Sequence, residues 1–487
     1  MKGFWVRRAE AALLLLAIAV HVRFLWIMPD PFFYWDSENY LKPVATFLSS
    51  GRWILPAEFT PGYPAFLLAI LRWIPHFSAV LWIQHLLWLL GALVAGLIFY
   101  NMFSKSSLGF VVVVFLVAVL PRGIVYAHSI MTEVLFTPIA WASVLLFLMA
   151  WKNGRIVASI AAGIAMGIAL LIRPTGQAWV VALLLASLLS WIRHPGALRI
   201  IAGFASGLLL VLGPISIYNY RLHGYVGTAN FTGQNLYGGL APFLDPSRVD
   251  DPRLRDILLP FTKPPLKEKM KSPGWVRYAP NGPVTAISKI VPNAAERDHL
   301  LLRLGLAAAT HHPLQILWDQ GSQFVRFYFL SCRHPTVGLT KEDVTLSGFT
   351  FFKHIVNLYP QAGAFLAIPT SDAPRYFHWM QTHPTYPYQP GPFPLFLVWP
   401  LVWAVQLLPL LALCSVIAHL WMRVRRFEVL TIGLIIVCHI LISNVGGGDM
   451  QVRYVVPLEP IYLVLTIAGF GLLKRREPEP DLSTAAR

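Results

Sequence analysis

Charged side chains at the ends of long apolar segments are the residues of this chain that could do chemistry. Asp36 and Glu38 follow the first apolar segment, and Glu133 begins a later one. A carboxylate can accept the proton of an alcohol, so each is a candidate general base. The alternative for Asp36 is a helix N-cap or a solvated loop carboxylate, and Glu133 beside Thr132 would also suit a helix N-terminus. Spacing alone leaves both interpretations open.

Isolated arginines form the second group of candidates. Arg173 and Arg453 lie at the ends of apolar segments whose loops are otherwise poor in basic residues. A guanidinium suits bidentate contact with phosphate. The alternative for each is an interfacial anchor, or a partner for an acid such as Glu133 or Asp449. For Arg122, the anchor or partner interpretation is favoured.

The composition indicates where these residues must work. The chain has 487 residues, of which 56% are hydrophobic and 13% are charged. Soluble domains are about 45–50% apolar and about 25% charged. A soluble enzyme, a disordered chain and a fibrous protein are therefore excluded. The net charge of +16 is interpreted through membrane topology, and no nucleic acid partner is expected.

The sequence predicts an all-α polytopic membrane protein with about ten transmembrane helices, interfacial helices and a small extracytoplasmic domain. A span requires roughly 20 mostly apolar residues. The candidate spans are 9–28, 79–101, 108–126, 130–151, 156–173, 176–192, 199–218, 392–422, 428–444 and 453–473.

Basic residues in the short loops predict the orientation. Loops on the side of the N-terminus are rich in lysine and arginine, which marks that side as cytoplasmic. Both termini are therefore expected in the cytoplasm, and Asp36 and Arg173 outside. The basic residues of these loops are Lys105, Lys152, Arg155, Arg193, Arg199, Arg423, Arg425, Arg426, Lys474, Arg475 and Arg476.

Four parts follow from this topology. Residues 1–218 form an N-terminal transmembrane core, and 219–391 form an extracytoplasmic domain too long for a structureless loop. Residues 392–476 return to the membrane, and 477–487 are expected to be a disordered cytoplasmic tail. The first outer loop predicts an amphipathic helix over 40–48 and a short apolar helix over 65–74.

Several sequence blocks resemble the GT-C membrane glycosyltransferases. That superfamily includes the protein O-mannosyltransferases, the aminoarabinose transferases and the RgtA/B/C/D-like group. The first outer loop carries the main block, consisting of Asp36, Ser37, Tyr40, Ala45, Leu48, Gly51, Pro61, Gly62, Tyr63 and Pro64. The other blocks are 128–133, 173–176, 227–239 and 453–460.

The resemblance implies transfer of a sugar from a polyprenyl-phosphate donor to the hydroxyl of an acceptor glycan, lipid or protein. It implies Asp36 as the catalytic base, with Glu38 and Glu133 as further acidic candidates. The residues assigned to the donor phosphate are Arg173, Arg453 and Tyr454. Those assigned to substrate binding are Tyr40, Tyr63, Gln234, Asn235 and Tyr237.

One departure of this sequence from the family pattern narrows the range of sugars that it is expected to transfer. The aminoarabinose transferases have a Glu-Lys pair where this chain has Phe59 and Thr60. Aminoarabinose transfer is therefore not expected. No protein cofactor is predicted, and no histidine or cysteine spacing supports a metal site.

Two other functions fit a polytopic chain. A polyprenyl-lipid or polysaccharide transporter would show repeats and charges at the membrane midplane. A non-catalytic assembly subunit would keep the fold without the reaction. The expected location is the bacterial inner membrane, with the active site facing the periplasm or exterior.

Overall fold

The computed structural model describes residues 2–27, 31, 35–191, 194, 196–325, 395–422, 425–447 and 455–474. Every regular element in these ranges is helical, so the all-α fold class predicted from the sequence is confirmed. The long apolar runs form helices because a helix satisfies its backbone hydrogen bonds internally, as a lipid environment requires.

The N-terminal half contains ten α-helices joined by short connections. They are α1 (Lys2–Ile27), α2 (Trp35–Ser50), α3 (Gly62–Leu71), α4 (Phe77–Ile98), α5 (Ser107–Ala118), α6 (Pro121–Ala127), α7 (Glu133–Asn153), α8 (Ile156–Ile172), α9 (Gln177–Ser190) and α10 (Ala197–His223). Left-handed glycines end two of them, Gly154 after α7 and Gly224 after α10.

Helix length supports a membrane protein without fixing the number of spans. Five helices within the described ranges are long and apolar enough to cross a bilayer. Several apolar helices are shorter, including α5, α8, α9 and α3. The predicted span 108–126 is divided, because α5 ends at Ala118 and α6 begins at Pro121. Proline has no N–H to continue a helix and suits its first turn.

The buried centre of the helical bundle lies around α7. Helix α7 packs between α4 and α8, and its tryptophan Trp141 is almost completely buried. The ring centroids of Trp141 and of Trp179 on α9 are 4.5 Å apart. The indole N–H of Trp141 donates to the carbonyl of Pro457 at 2.7 Å. These contacts join distant parts of the chain into one core.

Residues 232–325 form a second cluster of helices, called the middle cluster below. Its helices are α11 (Thr232–Leu240), α12 (Pro252–Leu258), α13 (Leu266–Lys269), α14 (Pro273–Tyr278), α15 (Pro283–Ser288), α16 (Ala294–His311) and α17 (Pro313–Val325). The cluster has its own apolar core, built on Tyr237, Leu254, Val276, Ile287 and Leu301.

Close backbone contact holds the middle cluster together. Helix α11 crosses α16 at Gly233, where an added Cβ would lie 1.8 Å from the carbonyl oxygen of Asp298. Only glycine allows the two helices to approach this closely. Asn293 caps α16 by accepting the backbone N–H groups of Ala295 and Glu296.

Among the described residues of the C-terminal part there are three helices, and the third joins the N-terminal bundle. They are α18 (Leu395–Trp421), α19 (Arg426–Gly447) and α20 (Glu459–Lys474). Helix α19 packs against α9 and α11, so it links the bundle to the middle cluster. The rest of the predicted extracytoplasmic domain, 326–391, and the predicted tail, 477–487, lie outside the described residues.

Candidate functional site

The first turn of α2 carries Asp36 and is fixed to the segment before α7. Asp36 is the second residue of the helix and is partly exposed, so it lies inside the helix and not at its N-cap. The hydroxyl of Ser37 is fully buried and donates to the carbonyl of Ile130 at 2.8 Å. Glu38 lies in the same turn, but its side chain is outside the described part of the structure.

A series of side-chain contacts continues from α2 into the bundle. The rings of Tyr40 and Tyr63 meet edge to face with centroids 5.1 Å apart. The Tyr63 hydroxyl donates to the amide oxygen of Gln84 at 2.7 Å. Gln84 in turn donates to the carbonyls of Ala127 and Ser129 at 3.0 and 2.8 Å. Both predicted tyrosines therefore lie beside the segment that Ser37 contacts.

Gln84 was not predicted as a site residue. Its side chain is fully buried in α4 and all three of its polar contacts are to other elements. The available signal was a lone amide in an apolar span, where polar residues are rare and usually paired. Its partners lie far away in sequence, so the signal did not indicate what it binds.

Glu133 and Arg173 form a buried ion pair. The guanidinium of Arg173 contacts the Glu133 carboxylate, and the two side chains are 7% and 0% exposed. Arg173 also donates to the hydroxyls of Thr132 at 3.2 Å and Thr175 at 3.1 Å. Buried charges of this kind require a partner and further hydrogen bonds. The structure thus joins two predicted site residues and matches the partner interpretation of Arg173.

The α2–α3 connection is tied to the end of α8 and to the start of the middle cluster. The Thr60 hydroxyl donates to the carbonyl of Ile172 at 3.0 Å, next to Arg173. The backbone N–H of Asn230 donates to the carbonyl of Ala57 at 2.7 Å, and the Tyr225 hydroxyl donates to the same carbonyl at 3.3 Å. Partial burial, with the nearby charge of Glu58, raises the pKa of Tyr225, so it remains a neutral donor.

The three predicted substrate residues of α11 belong to the middle cluster. The backbone N–H of Gln234 donates to the carboxylate of Asp298 at 2.9 Å. The side-chain oxygen of Asn235 accepts from Arg277 at 2.8 Å. Tyr237 is completely buried, and burial raises the pKa of its phenol. Asn235 and Gln234 therefore help to hold the cluster together.

Three buried histidines form a chain of contacts. His21 Nδ1 lies 2.7 Å from His85 Nδ1, and His85 Nε2 lies 3.2 Å from His128 Nδ1. His21 Nε2 is 3.0 Å from the carbonyl of Ala118, so it donates there and the chain has one consistent set of tautomers. Both ring nitrogens of His21 and of His85 therefore have a partner. Across the described ranges, no three His, Cys, Asp or Glu side chains are arranged to hold a metal ion.

The last predicted block is described only in part. Arg453 and Tyr454 lie outside the described residues, whereas residues 455–466 are buried. Glu459 accepts from Arg122 at 2.6 Å, so Arg122 serves as the partner of a buried acid. This ion pair and the Trp141 contact with Pro457 fix the start of α20 against the bundle.

Comparison with known proteins gives structural neighbours only. No protein-family model and no curated protein matches the chain. Among solved structures, it is similar to the archaeal oligosaccharyltransferase AglB from Archaeoglobus fulgidus in complex with an inhibitory peptide and a dolichol-phosphate, with 14% identity and a TM-score of 0.40. The apo form of the Archaeoglobus fulgidus oligosaccharyltransferase matches with 14% identity and a TM-score of 0.38.

These overlaps are broad but weak. They cover 97% and 95% of this chain and 50% of each solved chain. A TM-score of 0.40 indicates only a loose similarity of fold. The chain is similar to an archaeal oligosaccharyltransferase over nearly all of its own length, and it spans about half the length of that enzyme.

Proposed function

We propose that this protein is a GT-C-type membrane glycosyltransferase that uses a polyprenyl-phosphate-linked sugar as donor. The observation that carries the proposal is the convergence of three separate sequence blocks on one place. Ser37 of the first block contacts Ile130 of the second, and Thr132 of the second contacts Arg173 of the third. Thr60 and Ile172, which flank the first and third blocks, also contact each other. Each of these three blocks resembles a block of the GT-C enzymes in sequence.

The proposed reaction gives Asp36 a defined role. An acceptor hydroxyl is a poor nucleophile at neutral pH, so a carboxylate must receive its proton. The hydroxyl oxygen attacks the anomeric carbon of the donor sugar, and the bond from that carbon to the phosphate oxygen breaks. The proton passes to Asp36, and polyprenyl phosphate leaves with the electron pair. Attack from the face opposite the leaving group inverts the anomeric configuration.

The leaving phosphate requires cations more than a proton donor. Arg173 and Arg453, with Tyr454, are proposed to contact the donor phosphate, since guanidinium groups suit that geometry. Glu133 holds Arg173 in place through the buried ion pair. Glu133 is therefore proposed as a positioning residue for the phosphate site, and Glu38 as a supporting carboxylate.

The remaining assignments follow from location. Tyr40 is partly exposed, so it is proposed to contact substrate. The fully buried ring of Tyr63 packs against it and holds it in place. The loop charges favour an active site on the extracytoplasmic face, with both termini in the cytoplasm. The acceptor is proposed to be a glycan, lipid or protein presented outside the membrane.

Mass spectrometry of cell-surface glycans and lipids tests this function. Deleting the gene should remove a sugar from one surface product, and wild-type protein should restore it. Asp36→Asn should fail to restore the sugar at equal protein levels. Asp250→Asn, which changes an exposed carboxylate of the middle cluster, is the matched control and should restore it. Unchanged profiles after deletion, or full restoration by Asp36→Asn, would contradict the proposal.

A further inference from the structure

The α6–α7 connection, residues 128–132, is a non-helical segment in the interior of the bundle. Its five residues are between 0 and 3% exposed. Connections usually run over the surface, because buried backbone without helical hydrogen bonds needs other partners. The requirement is stricter in a membrane, since lipid cannot hydrogen-bond to the carbonyls. Side chains from other helices must therefore supply partners for this backbone.

Gln84 of α4 holds the start of this connection with one amide group. Its nitrogen donates to the carbonyl of Ala127, which ends α6, at 3.0 Å and to that of Ser129 at 2.8 Å. Its oxygen accepts from the Tyr63 hydroxyl at 2.7 Å. The two carbonyls can only accept, so the partners determine which way the amide points. One side chain thus fixes the turn between these two carbonyls.

The same connection contacts the elements that carry the proposed base and a proposed phosphate ligand. The hydroxyl of Ser37, next to Asp36, donates to the carbonyl of Ile130 at 2.8 Å. Two residues further on, the hydroxyl of Thr132 accepts from the guanidinium of Arg173 at 3.2 Å. In the proposed reaction, the base and the phosphate ligand act on opposite faces of the anomeric carbon. Their separation therefore depends on the shape of one short segment.

We propose that Gln84 is a positioning residue for the transfer reaction, because it fixes the α6–α7 connection and so sets the distance between Asp36 and Arg173. The inference rests on the proposed function, which assigns roles to those two residues. Gln84 is fully buried, so it acts through the connection and not by contact with substrate. An amide suits this role, since it donates two hydrogen bonds and accepts at the same time without carrying a charge.

Steady-state kinetics of the purified full chain test the inference. The donor lipid and the unmodified acceptor are both extracted from the deletion strain. Gln84→Met keeps the approximate size of the side chain but cannot donate to the two carbonyls. A misplacement of about 1 Å can cost about 100-fold in rate, so kcat should fall on the order of 10- to 100-fold. The donor KM should stay near that of wild type, because the loss arises in the transition state.

Asn101→Met is the matched control. Asn101 lies in the turn that follows α4, and its amide is bonded to Leu97 and Lys105, each four residues away. These contacts are local, so its kcat and KM should equal those of wild type. Ser37→Ala removes the other side-chain contact with the connection. Because both act through one segment, the losses in kcat of Gln84→Met and Ser37→Ala should not multiply in the double variant.

A distance measurement tests the positioning without an activity assay. In a chain whose own cysteines are replaced, spin labels are attached at Ser50→Cys and Gln177→Cys, two exposed positions. Ser50 ends α2, the helix of the proposed base, and Gln177 begins α9, just after the proposed phosphate ligand. Pulsed EPR should give a shifted or broader distance distribution for Gln84→Met than for wild type.

The outcomes separate this inference from the proposed function. Wild-type protein that transfers no sugar from the extracted donor would contradict the proposed function, and the spin-label distances would still test the positioning. The inference is overturned if folded Gln84→Met has the kcat of wild type, if its losses multiply with those of Ser37→Ala, or if the distance distribution is unchanged. If Gln84→Met does not fold, Tyr63→Phe replaces it, because it removes only the hydrogen bond that orients the amide. Its kcat should fall less, and an unchanged kcat would then overturn the inference.

Discussion

At the scale of single residues, the ion pair between Glu133 and Arg173 joins two of the predicted site positions. Both side chains are almost completely buried, so each charge depends on the other. Removing one partner of such a pair costs about 3–5 kcal/mol, because the remaining charge is left in a medium of low polarity. Arg173→Ala should therefore lower the free energy of unfolding by about that amount, measured by thermal unfolding in detergent.

A double-mutant cycle gives the control for this prediction. Arg173→Ala combined with Glu133→Ala should recover most of the lost stability, because no unpaired charge remains. Arg248→Ala breaks an exposed pair with Asp245 and should cost about 1 kcal/mol or less. Equal losses of unfolding free energy for Arg173→Ala and Arg248→Ala would mean that the buried pair of Arg173 and Glu133 is not formed.

Arg453 is the second arginine proposed to contact the donor phosphate. A charge-assisted hydrogen bond contributes about 1.5–3 kcal/mol. Arg453→Ala should thus raise the KM for the donor by about 10- to 100-fold, with a smaller effect on the acceptor KM. Arg453→Lys should recover only part of this, because an ammonium group lacks the planar fork. An unchanged donor KM would identify Arg453 as an anchor.

At the scale of elements, the position of Arg173 depends on how α8 packs. Arg173 follows α8 directly, and α8 packs closely on α10. A Cβ on Gly207 of α10 would lie 2.1 Å from the carbonyl oxygen of Ile160, which is backbone and cannot rotate away. Small residues at helix interfaces allow this close approach in membrane proteins.

Gly207→Ala should therefore separate the two helices. We expect a loss of about 1–3 kcal/mol, the usual range for overpacking, together with reduced transfer activity as Arg173 moves. Gly213→Ala on the same helix meets no atom within 4 Å and should be neutral or slightly stabilising. Thermal unfolding of the two variants checks this. A similar change in stability for both substitutions would show that helix propensity, and not contact with α8, determines the effect of Gly207→Ala.

The elements were largely predictable from the sequence because apolar runs and prolines act locally. The break between α16 and α17 lies at His312 and Pro313, where the proline favours the start of a new helix. The division between α5 and α6 was missed, since the apolar run continues through Val119 and Leu120. The run is apolar on both sides of the break, so hydropathy gave no sign of it.

The contacts of the site were less predictable. Gln84, the histidine chain and the tie from Thr60 to Ile172 each join residues more than 40 positions apart. Sequence spacing does not reveal such partners. The Glu133 and Arg173 pair was among the alternatives because two opposite charges at the ends of apolar segments have few other ways to be buried.

At the scale of the whole molecule, the orientation in the membrane decides on which side the chemistry occurs. The loop charges predict that the middle cluster is outside and that the loop after α7 is cytoplasmic. In a chain whose own cysteines are replaced, Ser247→Cys should react with a membrane-impermeant maleimide in intact cells. Asn153→Cys should react only after the membrane is opened. Both positions are exposed, so accessibility differs only by side.

The reverse labelling pattern would contradict the placement of Asp36 on the extracytoplasmic side. Labelling of both positions in intact cells would instead show that the membrane is leaky, which a cytoplasmic marker protein monitors.

In the proposed reaction, Asp36 accepts the proton of the acceptor hydroxyl. The most direct measurement is turnover of purified Asp36→Asn with the polyprenyl-phosphate sugar identified from the deletion strain. Asparagine keeps the size of the side chain but cannot accept the proton, so turnover should fall on the order of 10²–10⁴-fold. The turnover of Glu38→Gln should fall less than that of Asp36→Asn. Near-normal turnover by a folded Asp36→Asn protein would contradict the account.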